Sequence, residues 1–543
     1  MTQEITVAQL LVKKLAQLGV KKIFGLPGGG SSLDIIAAAT SENIEFVLTK
    51  TENAAVMMAG ALAETTGIPG VALMTKGPGL TNSANGVAYA SLDRAPVIVL
   101  TDGFTPKQLS YITHQVFDQK AVLAPIVKGT SRLESADPQA EIYQLLRLAC
   151  SYPMGPVHIE LTSETARKMI SAISVSHSIK SQELEQSTPL HLIESLHARL
   201  HRAHRPIVIL GLEARAHEVA VRKFVETMEC AVLTTYKAKG VVPDSDPHVV
   251  GIFTGGSLEQ EAIAAADLMV LVGMDPVELI LQPWRYTTPV VDIAAFKHSV
   301  HYVEPAIRIV GSITETLNTL MLTGKFNASG WSSSLLATLR VGAQRQLEYL
   351  TVKQGVAPDR VAQLAADCCH RAGISPMFSI DAGAHMFSVA AFFPSERAGD
   401  VLISNGLATM AFALPAAISA AVQDRSTPVL CFTGDGGLMM CLGELCTAVE
   451  QQAKVVVIVF NDSALSLIDI KQQSRALESK GVRWRHHHFA ATMDALGGYG
   501  VVATTEQEFI EGLSQALVHD GPSLIDVLID PSGYSDQLKA MRG

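Results

Sequence analysis

The chain has 543 residues, of which 48% are hydrophobic and 17% are charged, and its formal net charge is −10. This length suits about three domains of roughly 150 residues, and the composition provides material for large cores. The negative charge and the lack of Lys/Arg blocks argue against nucleic acid as a partner. The amino terminus reads as an amphipathic helix, not a signal peptide, and no apolar run is long enough to span a membrane. We therefore expect a cytoplasmic protein without membrane contact.

The cysteines support the same expectation. Their spacing indicates neither a metal site nor a disulfide framework. Cys368, Cys369 and His370 lie in a helical pattern, where adjacent side chains face different sides. We expect reduced thiols in the cores.

Helical and strand patterns alternate through the first third of the chain. Helices are predicted at residues 6–19, 31–40, 52–66 and 80–91, and strands at 22–27, 44–49, 70–75, 96–101 and 155–162. This alternation predicts βαβ units and a mostly parallel sheet.

The remaining two thirds repeat this rhythm. A helix is predicted at residues 190–203, a helical connector at 326–356, and strands at 206–211, 231–235, 267–273, 289–293, 301–305, 378–383, 401–406 and 523–530. We predict an α/β protein of three doubly wound parallel-sheet domains, over residues 1–170, 188–330 and 353–543.

The stretch from Val429 to Gln473 is the most informative part of the sequence. Two buried strands, VLCF and VVVIVF, end in turns that contain Asp435 and Asp462. The carboxyl ends of parallel strands meet at one edge of the sheet, where such sheets bind ligands. Glycines around Asp435 let backbone N–H groups approach phosphate oxygens, and carboxylate oxygens suit Mg²⁺ better than zinc. The two turns predict a site for a metal diphosphate.

The pattern GDG, followed about two dozen residues later by Asn-Asp, resembles the signature of thiamine diphosphate enzymes of the acetolactate synthase, pyruvate decarboxylase and benzoylformate decarboxylase superfamily. The resemblance implies a pyrimidine-binding, a middle and a diphosphate-binding domain, in that order. It also implies that Asp435, Asp462 and the main-chain carbonyl of Ala464 bind Mg²⁺. Asp462 stands where the family more commonly has Asn.

The sequence TKTENAA, residues 49–55, places Glu52 at a helix start after a predicted strand. Such a glutamate is often only a favourable neighbour of the helix dipole. The segment resembles the HEQAA-type turn of the family, which implies that Glu52 shares a proton with the pyrimidine ring of the cofactor. Thr51 replaces the histidine that often precedes this glutamate.

Other cofactor contacts follow from two further matches. Residues 404–417, SNGLATMAFALPAA, resemble GGLGTMGFGLPAA. This match implies that Met410 bends the cofactor and that the Ala408 carbonyl accepts a hydrogen bond from its amine. Residues 381–385 resemble DVGQHQ, whose backbone contacts the diphosphate. The remaining predicted cofactor residues are Gly383, Ala384, His385, Gly434, Gly436, Gly437, Leu465 and Ile468.

Predicted substrate contacts come from the first domain. The glycine-rich loop with Gly28 and Gly29 faces the reacting centre in relatives. Thr75 and Lys76 are also predicted to line the substrate pocket, where Lys76 would attract a carboxylate if it faces that pocket, although it could equally extend to solvent. Residues 113–115 resemble a stretch in which acetolactate synthases carry Phe-Gln. Gln115 matches that glutamine, and His114 replaces the Phe with a group that titrates near neutral pH.

The resemblance implies decarboxylation of a 2-oxo acid followed by carboligation, with homodimers as the minimum unit, homotetramers expected and sites between subunits. Ile468 stands where yeast-type pyruvate decarboxylases carry a glutamate, which favours carboligation. A simple decarboxylase of the benzoylformate or branched-chain type, a hydroxyacyl-CoA or diketone lyase, and a non-catalytic regulatory subunit remain alternatives. Residues 211–218 and 273–280 offer no glycine-rich dinucleotide loop, so we expect no FAD.

Overall fold

The computed structural model describes residues 2–173, 188–279, 283–324, 326 and 330–542. The predicted fold is confirmed, because three six-stranded sheets are present and their strand pairs are all parallel. Within the described residues, no helix combines the length and the apolarity needed to cross a bilayer.

The N-terminal region forms a sheet of order β3-β2-β4-β5-β7-β6. Its strands are β1 (Thr2–Thr6), β2 (Lys22–Leu26), β3 (Glu45–Leu48), β4 (Gly70–Met74), β5 (Val97–Gly103), β6 (Thr130–Ser131), β7 (Val157–Thr162) and β8 (Met169–Ile173). Its helices are α1 (Val7–Gln17), α2 (Ser31–Ser41), α3 (Glu52–Thr66), α4 (Pro78–Leu92), α5 (Pro106–Leu109), α6 (Gln119–Leu123), α7 (Pro138–Cys150) and α8 (Ser163–Arg167). The sequence patterns did not predict β1 and β8, which pair with each other antiparallel outside the main sheet.

The middle region forms a sheet of order β11-β10-β9-β12-β13-β14. Its strands are β9 (Pro206–Leu210), β10 (Ala231–Thr234), β11 (Val249–Ile252), β12 (Leu268–Val272), β13 (Val290–Ala294) and β14 (Ile307–Val310). Its helices are α9 (Leu190–Arg202), α10 (Glu218–Met228), α11 (Gln260–Ala264), α12 (Ile313–Thr323) and α13 (Ser333–Arg345).

Two expectations for the middle region are corrected. The strand predicted at residues 301–305 is wrong, since the last strand starts at Ile307, beyond Pro305, which has no N–H for a ladder. The predicted connector 326–356 is helical only at α13, and its residues 327–329 lie outside the described part of the chain.

The C-terminal region forms a sheet of order β16-β15-β17-β18-β20-β19. Its strands are β15 (Phe378–Ile380), β16 (Val401–Ile403), β17 (Val429–Gly434), β18 (Val455–Asn461), β19 (Tyr499–Ala503) and β20 (Ser523–Leu528). Its helices are α14 (Pro358–Arg371), α15 (His385–Phe392), α16 (Ala413–Gln423), α17 (Asp435–Met440), α18 (Glu444–Glu450), α19 (Ser466–Ser474), α20 (Phe489–Leu496), α21 (Glu506–Val518) and α22 (Tyr534–Arg542). Two helices, α17 and α18, connect β17 to β18.

The chain forms two compact units. The first contains the N-terminal region together with Gly406–Arg425 and Cys441–Ala453, and thus α16 and α18. Within it, α3 and α16 are apolar and buried on nearly every side, as expected of helices inside a core. They pack together, and the Ser419 hydroxyl of α16 donates to the Met58 carbonyl at 2.7 Å.

The second unit contains the middle region, Ser426–Met440 and the chain from Lys454 onward. One apolar core runs through it, with Phe378, Phe432, Ile458 and Ile525 from the C-terminal sheet and Tyr236 from the middle region. All seven cysteines of the chain are free thiols, and all but Cys446 are buried. The predicted placement of thiols in the cores thus holds for six of the seven cysteines.

Candidate active site

Glu52 is the first residue of α3, four residues beyond the end of β3. Thr51 caps this helix, because its hydroxyl accepts a hydrogen bond from the Ala54 N–H at 3.2 Å. The half-buried Glu52 carboxylate accepts a hydrogen bond from the Asn82 amide of α4 at 2.5 Å. The side chain is therefore held in place, and it remains within reach of a ligand.

A second acid, Glu444 of α18, fixes the turn that carries Glu52. Its fully buried carboxylate accepts hydrogen bonds from the N–H groups of Lys50 and Thr51, both at 3.0 Å, and from the Thr447 hydroxyl at 2.8 Å. Burial raises the pKa of Glu444, and these hydrogen bonds oppose that rise. Sequence reasoning missed this residue, since nothing in the sequence links positions 50 and 444.

Met410 lies in the same compact unit as Glu52, in a turn that precedes α16. The adjacent Thr409 hydroxyl accepts a hydrogen bond at 2.9 Å from Asn85, which lies one helical turn beyond Asn82 on α4. Ala408 and Ala411 flank Met410 with φ angles of 53° and 67°. These left-handed conformations are unfavourable for alanine. They stand where the resembling family motif has glycines.

Asp435 and Asp462 follow the neighbouring strands β17 and β18, whose ends meet because Gly434 pairs with Phe460. Asp435 is only 2% exposed. Its Oδ1 accepts a hydrogen bond from the Gly436 N–H at 2.8 Å, while its buried Oδ2 has no hydrogen-bond partner among the described residues. Burial and the nearby Asp462 carboxylate raise the pKa of Asp435 to about 7. Two close acids and an unpaired oxygen are what a cation would stabilise.

The turn after β18 orients the third predicted metal ligand. The Leu465 N–H donates to the Val482 carbonyl at 2.8 Å, and the Trp484 N–H donates to the Ser463 carbonyl at 3.1 Å. In such an antiparallel bridge, the residue between the bonded pair directs its own N–H and C=O to the opposite side. The Ala464 N–H bonds to Asp462, so the Ala464 carbonyl faces the same side as that carboxylate.

Burial raises the pKa of Asp462 to about 6, and the hydrogen bond from the Ser466 hydroxyl opposes this rise. Leu465 is half-buried, and Ile468, on the first turn of α19, is exposed.

The glycines around Asp435 leave little room for side chains. A Cβ on Gly437 would lie 2.1 Å from Oδ2 of Asp381, and one on Gly383 would lie 2.7 Å from the His385 ring. His385 is buried and stacks on Phe460, and burial lowers the pKa of its imidazole to about 4. The His385 side chain thus packs inward, which leaves the backbone of 383–385 and the start of α15 for an anion.

The predicted substrate residues of the first domain lie around the ends of β2, β4 and β5. A Cβ on Gly28 would meet Oδ2 of Asp102 at 2.1 Å, whereas Gly29 has open space around it. The Thr75 hydroxyl lies 3.5 Å from the same Asp102 oxygen. The Lys76 ammonium group lies 4.6 Å from the centroid of the Phe104 ring, so this lysine stacks on an aromatic face.

His114 and Gln115 lie in an exposed segment between α5 and α6. Gln115 has a φ of 59°, and its Cβ is 2.9 Å from where a Cβ on Gly77 would be. Gln119, which sequence reasoning missed, fixes this segment. Its buried amide accepts from the Gly77 N–H at 3.2 Å and donates to the Asp102 carbonyl at 3.1 Å.

These residues fit a magnesium-bound diphosphate. Asp435, Asp462 and the Ala464 carbonyl offer oxygen ligands. Oδ2 of Asp435 has no hydrogen-bond partner among the described residues, and a side chain at Gly437 would clash with Asp381. Oxygen donors of this kind suit Mg²⁺. Glu52 and Met410 belong to the other compact unit and provide the groups predicted to contact the pyrimidine.

Comparison with known proteins matches three parts of the chain to domains of one family. The chain matches the thiamine pyrophosphate enzyme N-terminal TPP binding domain over residues 5–122, the central domain over 193–320 and the C-terminal TPP binding domain over 381–527. It is 26% identical to the acetolactate synthase of Bacillus subtilis (strain 168), with 98% of this chain and 94% of the relative covered.

Two further relatives cover the chain to a similar extent. The catabolic acetolactate synthase of Raoultella terrigena is 26% identical over 96% of this chain and 95% of its own length. The acetolactate synthase isozyme 1 large subunit of Escherichia coli (strain K12) is 26% identical over 97% of this chain and 94% of its own length. The chain belongs to the thiamine pyrophosphate-dependent enzymes and is similar over nearly its whole length to acetolactate synthases.

Proposed function

We propose that the protein is a Mg²⁺-dependent carboligase, which decarboxylates one 2-oxo acid and joins the remaining acyl unit to the carbonyl of a second. The observation that carries this proposal is the placement of Glu52 at the start of α3, held by Asn82, with the Met410 turn in the same compact unit. Retention of this acid together with Asp435 and Asp462 argues against a non-catalytic regulatory subunit.

The chemistry that thiamine diphosphate supplies when bound is an electron sink for the decarboxylation of a 2-oxo acid. In our proposal, Glu52 exchanges a proton with a ring nitrogen of the pyrimidine, and Asn82 keeps the carboxylate in position. Asp435, Asp462 and the Ala464 carbonyl hold Mg²⁺. The backbone of residues 383–385 and the glycines beside Asp435 donate N–H groups to phosphate oxygens.

Carboligation is favoured over simple decarboxylation by two apolar residues that follow the proposed metal ligand Asp462. Leu465 and Ile468 offer no acid where a protonating group would be needed to release an aldehyde, and apolar side chains reduce access of water. On the pyrimidine side, Lys76 and Gln115 are the polar groups proposed to contact substrate, with the exposed His114 beside them.

We further propose that the protein works as a homodimer at least, and as a homotetramer in its complete form. Large apolar side chains are exposed in two segments next to the proposed site residues. In the first unit these are Leu109, Tyr111, Phe117 and Val122, and in the second they are Met439, Met440, Ile468 and Leu477. Exposed apolar groups in such numbers indicate a surface that a partner covers.

The decisive experiment supplies the purified full chain with thiamine diphosphate, MgCl₂ and a panel of 2-oxo acids, starting with pyruvate. Carbon dioxide release is measured, and products are identified by NMR. A 2-hydroxy-3-oxo acid product supports the carboligase. A free aldehyde as the main product would favour the decarboxylase, and turnover of a hydroxyacyl-CoA or a diketone alone would favour a lyase. Activity that is equal in the wild type and in Glu52→Gln would contradict catalysis by this site.

A further inference from the structure

The middle sheet has its own ligand-binding edge, which the proposed reaction does not use. In its strand order β9 lies beside β12, and from this pair the strands follow in chain order toward opposite edges of the sheet, to β11 on one side and to β14 on the other. Open α/β sheets bind ligands in the crevice outside the carboxyl ends of the strands at such a reversal. Here, Glu213 follows β9, Asp275 follows β12 and His298 follows β13.

These three side chains converge in the crevice. One ligand atom from each of Glu213, Asp275 and His298 lies within 4.8 Å of the other two. The Nε2 of His298 is 3.0 Å from Oε1 of Glu213, and its Nδ1 is 3.7 Å from Oδ1 of Asp275. All three side chains are at most 7% exposed. The spacing suits ligands around a single ion.

The backbone groups that would bind a dinucleotide phosphate are already occupied. The N–H of Leu212, two residues after β9, donates to the Glu278 carboxylate at 2.7 Å, and the N–H of Ala295, directly after β13, donates to Glu213 at 2.6 Å. In dinucleotide-binding sheets such N–H groups face the phosphates. These two N–H groups therefore already bond to side-chain carboxyl groups and are not available to a dinucleotide phosphate.

A second observation points to a ligand in the same crevice. The His301 side chain is only 6% exposed, and its Nε2 has no hydrogen-bond partner among the described residues. This nitrogen lies 3.8 Å from Oδ2 of Asp292, an oxygen that already accepts a hydrogen bond from Arg308 at 3.1 Å. The other oxygen of Asp292, Oδ1, is buried and has no hydrogen-bond partner among the described residues. The His301 ring is 6.3 Å from the His298 ring, edge to face. Buried polar atoms of this kind are normally satisfied, and an ion with its bound water would supply what they lack.

We infer that the middle domain binds one divalent cation through Glu213, Asp275 and His298, with Asp292 and His301 facing the ion or its water. Mixed nitrogen and oxygen ligands suit Zn²⁺, Mn²⁺ or Co²⁺ better than Mg²⁺.

The test uses the full chain, stripped of metal with EDTA and then saturated with Mg²⁺ and thiamine diphosphate. Titration with CoCl₂ is followed by visible absorption, and metal content after dialysis is measured by mass spectrometry. We expect one additional cobalt ion per chain, and at least tenfold weaker binding in Glu213→Gln and in His298→Gln. His248→Gln is the matched control, because His248 also lies beside a carboxylate, 2.9 Å from Asp246, but outside the crevice.

Two comparisons make the result unambiguous. Asp435→Asn should keep the additional cobalt ion, which separates this site from the proposed magnesium site and from the failure of the proposed reaction. If His298→Gln does not fold by circular dichroism, Asp275→Asn provides the same comparison. The inference is overturned if no additional ion binds, if binding is unchanged in these variants, or if the purified protein carries a flavin. Any of these results would mean that the three side chains only bond to one another.

Discussion

The turns that carry Glu52 and Asp435 look alike in sequence but differ in chemistry. Each places an acid at the first residue of a helix that follows a parallel strand. Asp435 is 2% exposed and lies beside a second carboxylate, whereas Glu52 is half-buried and bonds to an uncharged amide. A buried pair of acids favours a cation, while a single acid beside an amide can exchange a proton with a ligand. The neighbours, and not the local motif, decide which chemistry is possible.

The difference follows from the positions of the strands. β17 lies inside its sheet, and the adjacent β18 brings a second acid, Asp462, to the same edge. β3 is an edge strand that pairs only with β2, and the turn after β2 contains glycines in place of an acid. The Asp435 turn therefore has a second carboxylate beside it, and the Glu52 turn does not.

The Glu52→Gln variant should distinguish the chemistry of the two turns most clearly. We expect kcat to fall by about 100- to 10,000-fold, the range that general acid–base groups contribute, because an amide cannot exchange the proton. Affinity for thiamine diphosphate should change little. Glu64→Gln, at the other end of α3, is the control. Calorimetric titration measures the affinity for thiamine diphosphate, and activity assays measure kcat. If Glu52→Gln lost as much of this affinity as Asp435→Asn does, the proposed difference between the two turns would be contradicted.

Asp435→Asn should instead mainly lower the affinity for the cofactor. Loss of a ligand carboxylate should weaken Mg²⁺-dependent cofactor binding by at least about 100-fold, since even the loss of supporting groups costs about 10- to 100-fold. Asp462→Asn restores the residue more common in the family and keeps an oxygen ligand, so we expect a much smaller loss. Calorimetry with thiamine diphosphate at fixed MgCl₂ measures both. Asp520→Asn, fully at the surface, is the control.

Glu444 tests whether the Glu52 turn depends on distant support. Glu444→Ala leaves the N–H groups of Lys50 and Thr51 without their acceptor, and a displaced Glu52 should lower kcat by up to about 100-fold. Glu444→Gln keeps one acceptor oxygen and should be intermediate. Glu450→Ala on the same helix removes only an exposed ion pair with Lys50 and should change little. If the two alanine variants had equal kcat at saturating cofactor, Glu444 would not support the position of Glu52.

A buried histidine should change the pH dependence of stability in the opposite direction to the buried acids. His158 is fully buried, with Nε2 at 2.7 Å from the Thr101 hydroxyl, and burial lowers the pKa of its imidazole to about 4. Between that value and the unfolded pKa near 6.5, only the unfolded chain binds the proton. The free energy of unfolding should therefore fall by about 1.4 kcal/mol per unit as pH decreases through this window.

In His158→Asn this slope should flatten, because no group at that position titrates there. The measurement is denaturant unfolding of both proteins at a series of pH values. An identical slope in both proteins would show that His158 is not the source.

The smallest expected effect concerns the backbone beside Met410. Ala408→Gly and Ala411→Gly should each stabilise the protein by up to about 1 kcal/mol, because the left-handed conformation costs alanine about 1–2 kcal/mol and glycine almost none. Ala416→Gly, inside α16, should instead destabilise by about 1 kcal/mol. Thermal unfolding measures all three, and a uniform loss of stability would show that positions 408 and 411 are not strained.

The sequence by itself determined the three parallel sheets, the family, and the acids Glu52, Asp435 and Asp462. Strand and helix periodicity are local, and the family's motifs lie within short segments, so both can be read along the chain. Only the tertiary structure decided that Glu444 supports the Glu52 turn, that Gln119 fixes Gly77, and that Glu213, Asp275 and His298 converge. These contacts join residues that are dozens to hundreds of positions apart, and only the folding of the chain brings them together.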